Sequence, residues 1–194
     1  MYRPDVDWST IPQPRDDCGV RHLPGCSLPP VSLPGSDGVA HDLADRAGVT
    51  VLFTYPLAGR LDAPLPDDWD CLPGARGCVP QLCAYRRHFE ALRNWKVQGV
   101  FGISTQTRDY QAETARRLDL PFVLLSDTEH HLMRALLLPT FNLEGGRLLK
   151  RLTMIVFGGR IAQVFYPVFP PDRDPQAVVD WLDRRERDYG APAG

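Results

Sequence analysis

The run Val49-Thr-Val-Leu-Phe-Thr-Tyr55 constrains this chain most. It is β-branched or aromatic almost throughout, without the alternation of apolar and polar positions that a half-buried strand shows, so both of its faces must be covered. Such a strand sits inside a sheet with a packed layer on either side, which excludes a helical bundle and a sheet with one wet face. The rest of the chain supplies those layers. From Pro80 the pattern is helical: Leu82, Tyr85, Phe89 and Leu92 fall at offsets of three, seven and ten and make one apolar stripe, and Pro80 suits a first turn, where its missing N–H removes nothing. Val97 to Ile103 reads as a strand, Arg108 to Leu118 as a helix capped by Thr107, and Pro121 to Leu125 as a short strand. Ser126-Asp-Thr-Glu129 has the spacing of a capping box and predicts a helix through about Leu137. Leu152 to Phe157 and Ile161 to Tyr166, joined by Gly158-Gly159-Arg160, predict a hairpin, and Pro175 to Arg187 a last helix. Strands that alternate with helices and end in a hairpin imply an α/β fold whose central mixed β-sheet is flanked by helices.

One domain, residues 37–188, accounts for this pattern. Before it, residues 1–36 carry Pro4, Pro12, Pro14, Pro24, Pro29, Pro30 and Pro34, which deny the segment a long helix or a central strand and predict an extended arm over the domain. Residues 189–194 predict a frayed tail. With 22 Lys and Arg scattered among 24 Asp and Glu, and a net charge of -2, the chain has no field to hold a phosphate backbone, so no nucleic-acid partner is expected. Met1-Tyr-Arg-Pro-Asp lacks an apolar stretch behind a basic head, and no window approaches the ~20 apolar residues of a membrane helix; a soluble, cytoplasmic protein is expected.

Chemistry points to the cysteines. Cys18, Cys26, Cys71, Cys78 and Cys83 are odd in number, and a reducing compartment disfavours a disulfide framework, so any pairing is expected to be transient. Cys78 stands where a loop rich in Pro, Gly and Asp, residues 56–77, meets the predicted helix. Unpaired N–H groups and the positive end of the helix dipole favour a thiolate there. Extending the helical register backwards puts Cys78 at the centre of the apolar stripe and Cys83 about 140° away, beside Arg86, Arg87 and Glu90 and facing water. Five helical residues separate Cα atoms by ~8.7 Å, beyond the ~7 Å a disulfide tolerates, so pairing the two requires the first turn to unwind.

Several readings of this pair remain open from the residues alone. The two cysteines can be packing residues. They can also serve a protein disulfide oxidoreductase, although those enzymes space their cysteines by two, or a redox-responsive binding module that does not turn over. Zinc is disfavoured because no second cysteine pair is visible, and neither a metal nor a cofactor is expected. Cys71 reads as an incidental loop thiol, with an alternative resolving role as the minor reading, and Cys18 and Cys26 as unpaired residues of the arm. His130 and His131 lack metal-ligand spacing. His88 lies too far along the helix to act on Cys78. Trp69 with Asp67, Asp68 and Asp70 gives the loop an anchor and an acidic rim, either as a lid or as a solvated loop, and Gly158-Gly159 is a turn without a phosphate cradle.

The ordered set Phe53-Thr-Tyr-Pro56, Pro73-Gly-Ala-Arg-Gly-Cys78-Val-Pro-Gln-Leu-Cys83-Ala-Tyr-Arg-Arg87, Val100-Phe-Gly-Ile-Ser-Thr105, Leu124-Leu-Ser-Asp127 and Lys150-Arg-Leu-Thr153 resembles the Q-type peroxiredoxins, the bacterioferritin comigratory proteins, over about Leu28 to Arg185. The resemblance implies a thioredoxin-like fold and a thiol-dependent peroxidase. Cys78 matches the peroxidatic cysteine, Cys83 the resolving cysteine of the subgroup that forms an intrachain disulfide within one helix, and Arg151 the arginine that polarises the peroxide. It further implies hydrogen peroxide or an organic hydroperoxide as substrate, thioredoxin or a similar dithiol protein as reductant, and a monomer. Alternation places Arg151, Thr153, Ile155 and Phe157 on one face of their strand, which lets the guanidinium reach a pocket beneath it. The chain departs from the family's pattern of Pro, three residues, Thr or Ser, two residues, Cys: Cys71 stands seven residues before Cys78 and Ala75 three before it, and a long insertion separates Pro56 from the site, so backbone N–H groups near Gly77 and Cys78, or Arg76, are expected to replace the missing hydroxyl.

Overall fold

A computed structural model describes residues 6–44, 46–60, 65–66, 68–143 and 146–189. Asp67 of the acidic rim and most of the expected tail, residues 190–194, lie outside the described residues. The strands are β1 (Ser32–Pro34), β2 (Ala40–Asp42), β3 (Val49–Thr54), β4 (Val97–Ser104), β5 (Val123–Ser126), β6 (Thr140–Leu143), β7 (Gly146–Leu149), β8 (Thr153–Phe157) and β9 (Arg160–Phe165). The helices are α1 (Cys78–Asn94), α2 (Arg108–Arg117), α3 (His131–Ala135) and α4 (Asp174–Tyr189).

Five strands form the central sheet in the order β5-β4-β3-β8-β9. The pairs β3/β4 and β4/β5 are parallel, whereas β3/β8 and β8/β9 are antiparallel, so the sheet is mixed as the sequence pattern requires. Parallel neighbours need crossovers, and α1 and α2 provide them. Every residue of β3 is buried, in keeping with its position in the middle of the sheet. On one face Val51, Phe53 and Ile155 pack with Leu82, Tyr85 and Leu92 of α1 and with Val178 and Leu182 of α4. Phe53 stacks on Tyr85 at 4.0 Å between centroids, and Phe122 meets both rings edge-on. Each such side chain contributes about 1.5–3 kcal/mol by burial, and an aromatic pair about 0.5–1.5 kcal/mol more. The opposite face packs Leu52, Met154 and Val156 against Leu132 and Met133 of α3.

The expected arm does more than lie over the domain. Leu23, Leu28 and Leu33 are buried in the second core, and β1 pairs with β2. The same segment reaches both margins of the sheet: Ser27 bridges to Arg160 of β9, and Gly35 to Leu125 of β5. Its prolines limit the length of any strand there without preventing the leucines between them from being buried.

The helix predicted from Ser126 is shorter and starts later. Asp127, rather than Ser126, supplies the cap: its carboxylate accepts from the N–H groups of Leu132 and Met133 at 3.1 and 2.9 Å. Ser126 instead donates to Gln106 O, and His130, at φ 59°, precedes the first turn. The α2 cap is where the sequence puts it, with Thr107 Oγ1 accepting from Tyr110 N at 3.3 Å.

Candidate active site

Cys78 is the first residue of α1. Gly77 precedes it at φ 108°, and a Cβ there would stand 2.6 Å from Pro171 and 2.9 Å from Trp8, so glycine is required for both conformation and space. The helical ladder starts with Gln81 N donating to Gly77 O at 3.0 Å. The N–H groups of Cys78 and Val79 belong to the unpaired first turn, and Pro80 has none to satisfy. Cys78 is 4% exposed, at a helix start whose first N–H groups lack intrahelical acceptors.

Arg151, brought in just before β8, is 3% exposed and places Nη2 3.4 Å from Cys78 Sγ. The same nitrogen points at the carbonyls of Gly74, Ala75 and Arg76 at 3.4, 3.3 and 3.2 Å, which draws the loop around the cysteine. As a thiol, Cys78 is 3.6 Å from Ala75 O, which can accept its proton; as a thiolate, it faces the guanidinium. Ala75 is buried and carries no hydroxyl, and the donor that stands at the sulfur is Arg151 Nη2. Arg76 does not take that place: its side chain pairs with Asp70.

Three further elements aim Arg151. Thr54 Oγ1, at the end of β3, donates to Lys150 O at 2.6 Å and accepts from Leu152 N at 3.1 Å, gripping the backbone on both sides of the arginine. Gln81 Oε1 accepts from Arg151 Nη1. The Gln81 amide in turn donates through Nε2 to Asp174 Oδ2 at 2.7 Å, and Thr153 Oγ1 donates to the same oxygen at 2.8 Å. Asp174, at the start of α4, is buried, and that burial pushes its carboxyl above the ordinary value despite the hydrogen bonds that favour the charged form. Thr54, Gln81 and Asp174 escaped sequence reasoning. The only pointer was the i+3 position of Gln81 from Cys78 on one helical face.

The water-facing position expected for Cys83 is incorrect: it is 4% exposed and belongs to the same core as Cys78, Tyr55 and Ala58. The helix face it shares with Arg86 is covered by other segments. Arg86 donates to Leu118 O at 2.6 Å beyond the end of α2, and Arg117 donates to Gly59 O at 2.9 Å, which secures the residues after β3. The other expected residues stand apart. Cys18 and Cys71 are exposed, Cys26 Sγ donates to His22 O at 3.0 Å, and all five thiols are free. His88 bridges Ala84 O and Gln176 Oε1, a contact between helices. Trp69 is buried against Phe141 of β6, so it anchors the loop. Among the described residues no group of three or more His, Cys, Asp or Glu is placed to hold a metal ion, and no helix is long and apolar enough to cross a membrane.

A cysteine at the first turn of the helix after the central strand, faced by a buried arginine that immediately precedes a neighbouring strand, fits a thiol-dependent peroxidase of the thioredoxin-like class. The chain belongs to the Redoxin family, whose model matches residues 23–180. Within it the chain is similar to the Q-type peroxiredoxins. It is 24% identical over 170 residues to Peroxiredoxin Bcp of Bacillus subtilis, covering 87% of this chain and 90% of that protein. Two solved structures share the fold: Peroxidoxin BcpB from Mycobacterium tuberculosis (TM-score 0.67, 22% identity, 84% of this chain and 98% of that one), and the bacterioferritin comigratory protein of Xanthomonas campestris (TM-score 0.65, 18% identity, 84% and 98%).

Proposed function

We propose that Cys78 is the peroxidatic thiol, Cys83 the resolving thiol and Arg151 the group that holds the peroxide. The substrate is hydrogen peroxide or an organic hydroperoxide; the Xanthomonas campestris relative is described by its alkyl peroxide reduction. The observation that carries this reading is the 3.4 Å approach of Arg151 Nη2 to a buried sulfur at a helix start.

The Cys78 thiolate attacks one peroxide oxygen, an S–O bond forms, the O–O bond breaks, and the departing oxygen takes a proton to leave as water or alcohol. Sulfur is oxidised by two electrons to the sulfenic acid. The first turn of α1 then unwinds, the Cys83 sulfur attacks the sulfenic sulfur, an S–S bond forms and water departs. Thioredoxin or a similar dithiol protein returns two electrons and two protons, and becomes a disulfide itself. The chain works as a monomer in the cytoplasm, where such reductants act.

A disulfide oxidoreductase is disfavoured because both sulfurs are buried and five residues apart, out of reach of a protein disulfide without unwinding. The test is peroxide consumption with a dithiol reductant, followed by intact mass and peptide mapping. Cys78→Ser is expected to abolish consumption, and Cys83→Ser to leave a sulfenic acid and no intrachain disulfide. Consumption retained by Cys78→Ser refutes the reading.

A further inference from the structure

The family match begins at residue 23, yet the segment before it lies on the stretches of chain that carry Cys78 and Arg151. Trp8 opens a single-turn 3-10 helix, Trp8–Thr10, which Asp7 caps by accepting from Ser9 N at 3.0 Å. Its ring stands edge-on to Phe169, 5.8 Å between centroids. The far edge of the ring comes so near Gly77, the residue before Cys78, that a Cβ there would be 2.9 Å from Trp8 Cη2. Pro14 covers Gly74 in the same way, 3.3 Å from where a Cβ would be, on the loop whose carbonyls Arg151 faces. Further along, Asp17 Oδ2 and Lys150 Nζ are 2.6 Å apart, and Tyr166 OH donates to Asp17 Oδ1 at 2.7 Å.

These contacts differ in what joining Cys78 to Cys83 would do to them. Both sulfurs are buried, and in an intact helix their Cα atoms are ~8.7 Å apart, beyond the ~7 Å a disulfide tolerates, so the first turn of α1 has to unwind. Unwinding moves Gly77 and the loop leading into it, which are the surfaces under Trp8 and Pro14. Asp17 is tied instead to the residue before Arg151 and to the segment after β9, which unwinding leaves in place. The arm is therefore moored at Asp17, while its Trp8 end rests on the part of the molecule that moves. Coupling between two such equilibria is reciprocal: whatever the unwound turn takes from docking of the arm, the docked arm takes from unwinding.

We propose that residues 8–14 are a redox-dependent latch, docked on the first turn of α1 while Cys78 and Cys83 are thiols and released when they join, so that the arm sets how readily this pair is oxidised. The proposal rests on Cys78 and Cys83 being the reacting pair. In exchange with oxidised dithiothreitol the two thiols lose two electrons and two protons, an S–S bond forms in the chain, and the S–S bond of the reagent breaks to give its dithiol. The docked arm opposes that step, and its loss favours it.

The experiment exposes the full, unsubstituted chain to trypsin at neutral pH, once as the dithiol and once after oxidation by hydrogen peroxide, and follows cleavage after Arg15, an exposed residue between Pro14 and Asp17. Cleavage there is expected to be about tenfold faster in the oxidised chain, a coupling of ordinary size, while cleavage after Arg108 and Arg134, exposed on α2 and α3, keeps its rate. Equal rates at Arg15 in the two forms, or a parallel rise at all three sites, overturn the latch. Peptide mapping of the same samples separates the two possible failures: sulfurs joined other than Cys78 with Cys83 refute the thiol assignment, and the latch with it, whereas the expected pair without a change at Arg15 refutes the latch alone. A second measurement equilibrates the chain with mixtures of reduced and oxidised dithiothreitol. Trp8→Ala, which takes the ring away from Gly77 and Phe169, is expected to raise the oxidation constant of the pair about tenfold, and Trp8→Phe, which keeps a ring beside Phe169, to raise it less. A constant that is unchanged or lower in Trp8→Ala overturns the proposal, and the trypsin comparison decides it even if that variant does not fold.

Discussion

At the scale of the residue, Arg151 contributes as a planar fork whose two terminal nitrogens have different partners: Nη1 faces Gln81, and Nη2 faces the loop and the sulfur. Lysine has one compact ammonium and cannot serve both directions, so Arg151→Lys is expected to lower kcat/KM for peroxide by about 100-fold in steady-state assays. Thr54→Val keeps the shape but removes the hydroxyl that grips Lys150 and Leu152. Leaving those groups without their partner costs about 1–3 kcal/mol in urea unfolding, and the activity loss is expected to be smaller than for Arg151→Lys. Asp174 gives a pH dependence with a definite sign. Its carboxyl is raised by burial, so the folded chain holds the proton more tightly than the unfolded one. The contribution to stability is greatest below the unfolded value of about 3.9 and is lost as pH rises through the folded one. Asp174→Asn cannot ionise. Its unfolding free energy is expected to exceed that of the parent at pH 7, and the difference should shrink as pH approaches 4.

At the scale of the element, the proposed pairing of Cys78 with Cys83 asks the first turn of α1 to open while the body of the helix stays intact. Gly77→Ala is expected to destabilise the fold by more than the roughly 1–2 kcal/mol of a left-handed residue, because the new methyl also meets Pro171 and Trp8; thermal unfolding reports it. In the Cys78–Cys83 oxidised form, hydrogen exchange is expected to speed up at residues 78–83 and stay slow at 86–94; continued protection of the first turn means that another thiol resolves. The body of α1 was legible because Leu82, Tyr85 and Leu92 repeat at the helical period and are buried as that repeat requires. The burial of Cys83 was not, since a helical wheel describes one helix and takes no account of the end of α2 and the residues after β3 that close over it. The pairing of Gln81 with Asp174 was invisible for the same reason: 93 residues separate them, and only the packing of α4 on α1 joins them. The small hairpin β6–β7 was missed because its two strands of four residues are too short to show a period.

At the scale of the whole molecule, a mixed sheet flanked by helices followed from the alternation of β-branched runs with helical stripes, whereas the arm is attached by buried leucines and by long-range bonds that no period in the sequence reports. Asp17 is the firmest of these. Hydrogen bonds from Lys150 and then Tyr166 hold its carboxyl down at about 2, below the ordinary 3.8. A depressed acid stabilises the fold above its unfolded value and loses that contribution as pH falls through the folded one. The arm is therefore expected to loosen between about pH 4 and pH 2, seen as pepsin cleavage within residues 6–22, and Asp17→Asn should remove that dependence while leaving the arm easier to cleave at pH 4.

The stretch from Ser27 to Gly35 touches the sheet at both of its outer strands. Unpaired strand margins template pairing with other chains, and prolines such as Pro29, Pro30 and Pro34 offer no N–H with which to continue a ladder. One strip of backbone thus guards two aggregation-prone borders together. A single cut within it would free both, leaving a species with two sticky sides able to propagate in opposite directions.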